Sequence, residues 1–191
     1  MKKVPEYPIL TCNSQKEWDN WLKQHHQSDG VWLKFYKKSS GIVSLGYDGA
    51  LDVALCYGWI DSQTKKCDEE SYLQKFTPRR SKSIWSKVNT KHIERLIQAG
   101  KMKPAGIEQV EAAKKDGRWQ DAYDSPATIQ LPDEFLKKLA ADPKAQAFYN
   151  TLSKTNTYAI AWRLQTAKKP ETKTRRMETI LQMLHNEKKF H

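Results

Sequence analysis

Between Gly58 and Asn89 the chain reads GWIDSQTKKCDEESYLQKFTPRRSKSIWSKVN, and this stretch limits the folds open to the rest. Trp59 to Lys66 alternates weakly in polarity, Asp68-Glu69-Glu70 makes a polar turn, and Tyr72 to Thr77 alternates again. In the second segment Tyr72, Gln74 and Phe76 stand opposite Leu73 and Lys75. Two runs of period two across a short polar turn predict an antiparallel hairpin. Pro78 removes a ladder donor and ends the return strand. A basic loop around Trp85 follows. Before this stretch both periodicities occur; after Asn89 the spacing is helical throughout.

Upstream, Pro8 to Cys12 reads as a short extended segment. Ser14-Gln15-Lys16-Glu17 matches a capping box, which predicts a helix from Ser14 to about His26 with Trp18, Trp21 and Leu22 on one buried stripe. His25 and His26 fall in its last turn, where the helix dipole favours positive charge. Asp29-Gly30 turns the chain into a strand over Gly30 to Lys38, with Val31, Leu33 and Phe35 on one face and Trp32, Lys34 and Tyr36 on the other. Ile42 to Leu45 is expected as a second short strand. Asp48 is expected to cap a helix carrying Leu51, Ala54 and Leu55, with Gly58 at its C′ position.

Downstream, Asn89 or Thr90 is expected to cap a helix carrying Ile93, Leu96 and Ile97 that Gly100 ends. Pro104 opens a second helix that stops at Gly117. A connector, 118–130, holds Trp119 and Tyr123. Pro132 and Pro143 each suit a first helical turn, Asn156 opens a segment with Tyr158, Ile160, Trp162 and Leu164, and Pro170 opens the last helix. The expected fold class is α+β: a small sheet-containing α+β unit over 1–88, followed by an all-helical module over 89–191 packed against it.

Lys and Arg number 33 against 22 Asp and Glu, a net charge of +11, so the surface attracts polyanions and repels cationic peptides. Seven tryptophans argue against wholesale disorder. Cys12, Cys56 and Cys67 are odd in number and form no CxxC, which suits a reduced, cytoplasmic chain rather than a disulfide scaffold. The histidines show no ligand spacing with them, so neither a metal nor a cofactor is expected. There is no apolar run of about 20 residues, nor one of about 7–15 near the start, and neither membrane insertion nor export by a signal peptide is expected.

Lys75, Arg79, Arg80, Lys82, Lys87, Lys91, Arg95, Lys101 and Lys103 face only Glu94 within their own stretch. From these the candidate anion-binding set is Arg79, Arg80, Lys82, Ser83, Trp85, Lys87 and Asn89. Arginine forks match phosphate, hydroxyls donate, and a helix start at Asn89 would offer unpaired N–H groups. Trp85 either stacks on a base or plugs the junction between the halves. A second basic stretch, Arg163 to Arg176, adds Arg163 and Lys168 as candidates; its alternative is a solvated helix face. Asp52, Asp61 and His92 are weak acid–base candidates for a small hydrolase or transferase in which Arg79 would hold an anionic substrate. Asp61 could equally cap a turn or pair with Arg79. No Ser–His–Asp, Cys–His, P-loop or dinucleotide fingerprint occurs. The leading expectation is a non-enzymatic basic module binding a phosphate-rich ligand or nucleic acid. A protein partner meeting an exposed tryptophan surface is a further alternative.

Three segments carry a family resemblance: ALDVALCYGWIDSQTKKCDEESYLQKFTPRRSKSIWSKVN, ERLIQAGKMKPAGIEQVEAAKKDGRW and YAIAWRLQTAKKPETKTRRMETIL. In order, they cover most of positions 47–184. The chain resembles the YdeI/OmpD-associated family, also labelled bacteriocin-protection proteins. The resemblance implies an α+β N-terminal part with a helical C-terminal module. It also implies protection against bacteriocins or cationic peptides at the envelope, with a porin partner, and it supplies no catalytic residues.

Overall fold

The computed structural model describes residues 7–190. The described chain is α+β, and it divides into two compact units. One comprises residues up to Trp85 together with Asn89–Asp121, and the other Ser86–Val88 together with residues from Ala122 onward. No helix among the described residues is long and apolar enough to cross a membrane.

The first unit is built on a sheet whose strands, among the described residues, are β1 (Ile9–Thr11), β2 (Val31–Tyr36), β3 (Trp59–Lys66) and β4 (Ser71–Pro78), in the order β1-β2-β4-β3. β1 runs parallel to β2, while β2–β4 and β3–β4 are antiparallel. The hairpin expected from the sequence is therefore present, with an irregularity between Asp61 and Thr64 that bends its outer strand. Register decides which side chains share a face. Val31 pairs with Phe76, Leu33 with Gln74 and Phe35 with Tyr72, and these line the core face. Trp32 opposite Lys75 and Lys34 opposite Leu73 line the other.

Two helices supply the core. Helix α1 (Gln15–His25) starts where the capping box placed it: Ser14 Oγ accepts from Glu17 N at 3.3 Å. Glu17 reaches back one residue further than expected, to Asn13 N at 2.9 Å. Trp18 and Leu22 are fully buried. Helix α2 (Tyr47–Cys56) buries Ala50, Leu51, Ala54 and Leu55, and Gly58 follows it at φ +74°. Trp18 packs on Phe76 at 5.7 Å, and Phe35 on Tyr47 at 6.4 Å. Helices α3 (Lys87–Gln98) and α4 (Pro104–Lys115) follow; α4 opens on its proline and is followed by Gly117 at φ +81°.

Three local expectations are corrected. Ile42 to Leu45 is not a strand: it has no regular structure, and Val43 is 91% exposed, with no neighbouring strand among the described residues to receive it. Asp48 does not cap α2; Gly46 holds that position, its carbonyl accepting from Ala50 N at 3.0 Å, and Asp48 lies in the first turn. Asn89 and Thr90 lie inside α3, which already begins at Lys87, so Asn89 is not a helix start.

In the second unit, α5 (Asp133–Ala140), α6 (Pro143–Asn150), α7 (Lys154–Gln165) and α8 (Pro170–His185) enclose Phe135, Leu139, Ala145, Ile160, Leu164, Met177, Ile180 and Leu184. Pro143 and Pro170 occupy first-turn positions as expected. Pro132 is instead the residue before α5. Ser153, rather than Asn156, caps α7 by accepting from Asn156 N.

Candidate functional site

The sheet face turned away from α1 and α2 carries an alternation of rings and cations. Lys75 Nζ lies 4.3 Å from the Tyr7 ring centre, Lys65 Nζ 4.2 Å from Trp32, and Lys34 Nζ 4.9 Å from Tyr36. All three rings are half-buried, so each retains solvent-facing surface. Period two puts Trp32, Lys34 and Tyr36 on this side of β2, and the register brings Lys75 and Lys65 to the same side from β4 and β3. At the end of the hairpin this face continues into a recess of about 360 Å³ lined by Ser62, Lys75, Thr77, Arg80 and Ser83. Among the described residues no carboxylate lines it. Lys34 is paired with Asp68 at 3.3 Å, whereas Lys65, Lys75 and Arg80 have no carboxylate within ion-pair distance among the described residues.

The candidates of the basic loop separate. Arg80 and Ser83 share the recess, and their backbones lock in a turn: Arg80 N donates to Ser83 Oγ at 3.0 Å, and Ser83 N to Arg80 O at 2.9 Å. Lys82 is exposed at the same turn. Arg79 is only 7% exposed; its guanidinium lies 3.5 Å from the Trp85 ring centre and donates to Ile84 O at 3.3 Å. Trp85 is 1% exposed, covered by Arg79 on that side and packed against Trp119 at 5.1 Å. Both therefore serve as packing in the first unit rather than as groups offered to solvent. Lys87 belongs to the second unit and pairs with Asp124 at 2.7 Å. Arg163, also in the second unit, lines a separate small concavity, and Lys168 is exposed on the segment between α7 and α8.

Of the acid–base candidates, two meet. His92 Nδ1 lies 2.8 Å from Asp52 Oδ1, and Arg95 Nη2 donates to both oxygens of Asp52 at 2.6 and 2.7 Å. Arg95 Nη2 also lies 3.2 Å from His92 Nδ1, so Asp52, His92 and Arg95 form one cluster. Asp61 is held by different partners, accepting from Tyr47 Oη at 2.8 Å and Gln74 Nε2 at 3.3 Å. Asp52 and Cys56 line a cleft of about 430 Å³ with Lys16, Asp19, Lys101 and Lys103. Burial pushes the Cys56 thiol up to about 11, which suits packing rather than nucleophilic attack.

Burial alone would raise the Asp52 carboxyl, but the bonds from Arg95 and His92 more than reverse this and hold it below its ordinary 3.8. A carboxyl depressed in the folded state contributes stability above its unfolded pKa and loses it as pH falls through the folded one. Asp52→Asn is therefore expected to flatten the acid limb of the stability curve between about pH 5 and pH 2 relative to the parent chain. Urea midpoints across that range check it; parallel curves would show that the Asp52 clamp contributes nothing.

Residues 128–187 match the family model described as "Bacteriocin-protection, YdeI or OmpD-Associated". That range contains the third of the segments on which the resemblance was drawn. The first of them falls inside residues 10–109, which match a second model and include every residue quoted above for the Asp52 cleft, as well as Trp32, Lys34, Tyr36, Lys65, Lys75 and Arg80. No curated protein and no solved structure matches the chain. Because residues 10–109 are slightly over half of its length, the chain belongs to the family described as "Domain of unknown function (DUF8412)".

Proposed function

We propose that the first unit binds an anionic, phosphate-rich partner, with single-stranded nucleic acid as the best-matched class, across the open face of its sheet. The observation that carries this reading is the set of ring–cation pairs Tyr7–Lys75, Trp32–Lys65 and Tyr36–Lys34 leading into the recess at Arg80, which no carboxylate lines among the described residues. Unpaired bases stack on aromatic rings irrespective of sequence, and adjacent cations meet the backbone between them. Lys82, Ser83 and Thr77 would add donors at the phosphate end. A duplex hides its bases, so it offers these rings less.

The test is binding of a single-stranded oligonucleotide and of the matching duplex across a salt series. Log affinity for the single strand should fall linearly with log salt, by about 0.7 per neutralised phosphate. Trp32→Ala should cost about 1–3 kcal/mol of binding by loss of stacking, and Lys75→Glu should weaken binding and flatten the slope. A salt-independent affinity, or one untouched by both variants, rules the reading out.

The match at residues 128–187 favours a second reading, bacteriocin protection. A chain of net charge +11 repels a cationic peptide, so sequestration of such a peptide is opposed.

A further inference from the structure

We infer that the first unit carries a second site, for a small amino dicarboxylic acid, in the cleft between α1, α2 and the connector from α3 to α4. This cleft holds charges of both signs that do not satisfy one another. Lys16, Lys101 and Lys103 line it together with Asp19 and Asp52. Asp52 is already held by Arg95 and His92. The other four have no ion pair among the described residues, although they share one cleft. An ammonium has only donors and a carboxylate only acceptors, so each calls for the opposite group in a ligand.

The fold holds these charges near one another yet unpaired. Tyr57 touches both signs: its Oη donates to Asp19 Oδ1 at 3.1 Å, and Lys103 Nζ lies 6.0 Å from its ring centre. Cys56, on the cleft wall, feels all of them. Burial does most to raise its thiol pKa, and beyond that the Asp52 and Asp19 carboxylates raise it while Lys103 and Lys101 lower it. Both of these lysines stand on pinned backbone: Lys101 N donates to Leu96 O and Lys103 N to Cys56 O, each at 3.0 Å. Groups placed in advance lose less freedom when the ligand arrives. Asp19 and Lys103 also line an adjoining recess of about 380 Å³, so a ligand bound between them has room on more than one side.

Charge chooses the ligand. Three unpaired ammoniums against one carboxylate ask for a molecule that is net negative and still carries an ammonium of its own. An α-amino acid with a carboxylate side chain has that composition: its ammonium meets Asp19 and its carboxylates meet the lysines. A plain dicarboxylate sets like charge against Asp19, and a neutral amino acid leaves a lysine unanswered. A polynucleotide has no cation to offer Asp19. The cleft, at about 430 Å³, is of small-ligand size, and Val53 and Leu96 give the methylene groups an apolar wall. This inference uses the cleft alone and stands or falls separately from the open sheet face.

Titration calorimetry on the full chain at constant ionic strength, with L-glutamate, L-glutamine and glutarate as probes, tests it. L-glutamate should bind saturably, and tighter than the other two by on the order of tenfold. Asp19→Asn removes the charge but keeps an acceptor for Tyr57, so L-glutamate should fall to the level of glutarate while glutarate binds no worse than to the parent chain. Retained glutarate binding shows at the same time that the variant is folded. Lys103→Gln should weaken L-glutamate and glutarate alike. Absence of saturable L-glutamate binding, equal affinity for L-glutamine or glutarate, or a preference for L-glutamate that survives Asp19→Asn would overturn the assignment. So would displacement of L-glutamate by a single-stranded oligonucleotide, which would give the cleft to a polyanion.

Discussion

Trp59→Ala should destabilise the chain by about 3–5 kcal/mol, the range for removing a fully buried large aromatic. The Trp59 ring is 0% exposed. It meets Trp18 edge-on at 6.2 Å and Trp21 edge-on at 5.9 Å, so its loss opens a cavity and removes two aromatic contacts together. Its Nε1 donates to His26 O at 2.8 Å, tying the end of α1 to the start of β3. Alanine leaves that carbonyl without its donor, a further cost where water does not enter. Trp162→Ala is the comparison: that ring is half-buried and meets Tyr123 edge-on at 6.0 Å, so its removal should cost clearly less. Urea unfolding followed by circular dichroism measures both. A loss below about 1 kcal/mol for Trp59→Ala would mean that the cluster of Trp18, Trp21 and Trp59 is not the anchor of this unit.

Period-two alternation was sufficient to place β2 and the β3–β4 hairpin, because a one-residue slip would turn Val31, Leu33 and Phe35 into water. Helix ends marked by proline or glycine were similarly legible, since those residues act through their own backbone. Caps were less so. Asp48 and Asn89 are good capping residues, but α2 is capped two residues before Asp48, and α3 begins at Lys87, which puts its cap position three residues before Asn89. The binding residues divide along the same line. Arg80 and Ser83 could be found from sequence because they are close neighbours in a turn. Lys65 and Lys75 join Trp32 only through strand register, a non-local fact. Arg79 and Arg80 are adjacent and of one type, yet one is stacked against Trp85 and the other reaches solvent. Counting charges along the chain cannot separate them, because burial depends on where the strand ends and on what packs behind it.

Gly106→Ala is expected to lower stability by about 2–3 kcal/mol, although alanine is the better helix former by about 1 kcal/mol. A methyl group at this position of α4 would overlap the carbonyl oxygen of Cys56 and lie 2.8 Å from its carbonyl carbon. It would also lie 2.9 Å from Met102 Cε, but that end of a flexible side chain can turn away. The Cys56 backbone cannot, because its oxygen accepts from Lys103 N at 3.0 Å and α2 is fixed in the core by Ala54 and Leu55. Helix α4 must therefore move off α2. The opposed contributions make the sign decisive: a stabilised variant would show that α2 and α4 do not approach this closely. The strain arises on the helical side of the sheet, whereas Trp32 and Lys75 lie on the opposite face. At temperatures where the variant remains folded, its oligonucleotide affinity should accordingly match that of the parent chain. Loss of binding in Gly106→Ala equal to that in Lys75→Glu would move the site from the open sheet face to the cleft beside α4.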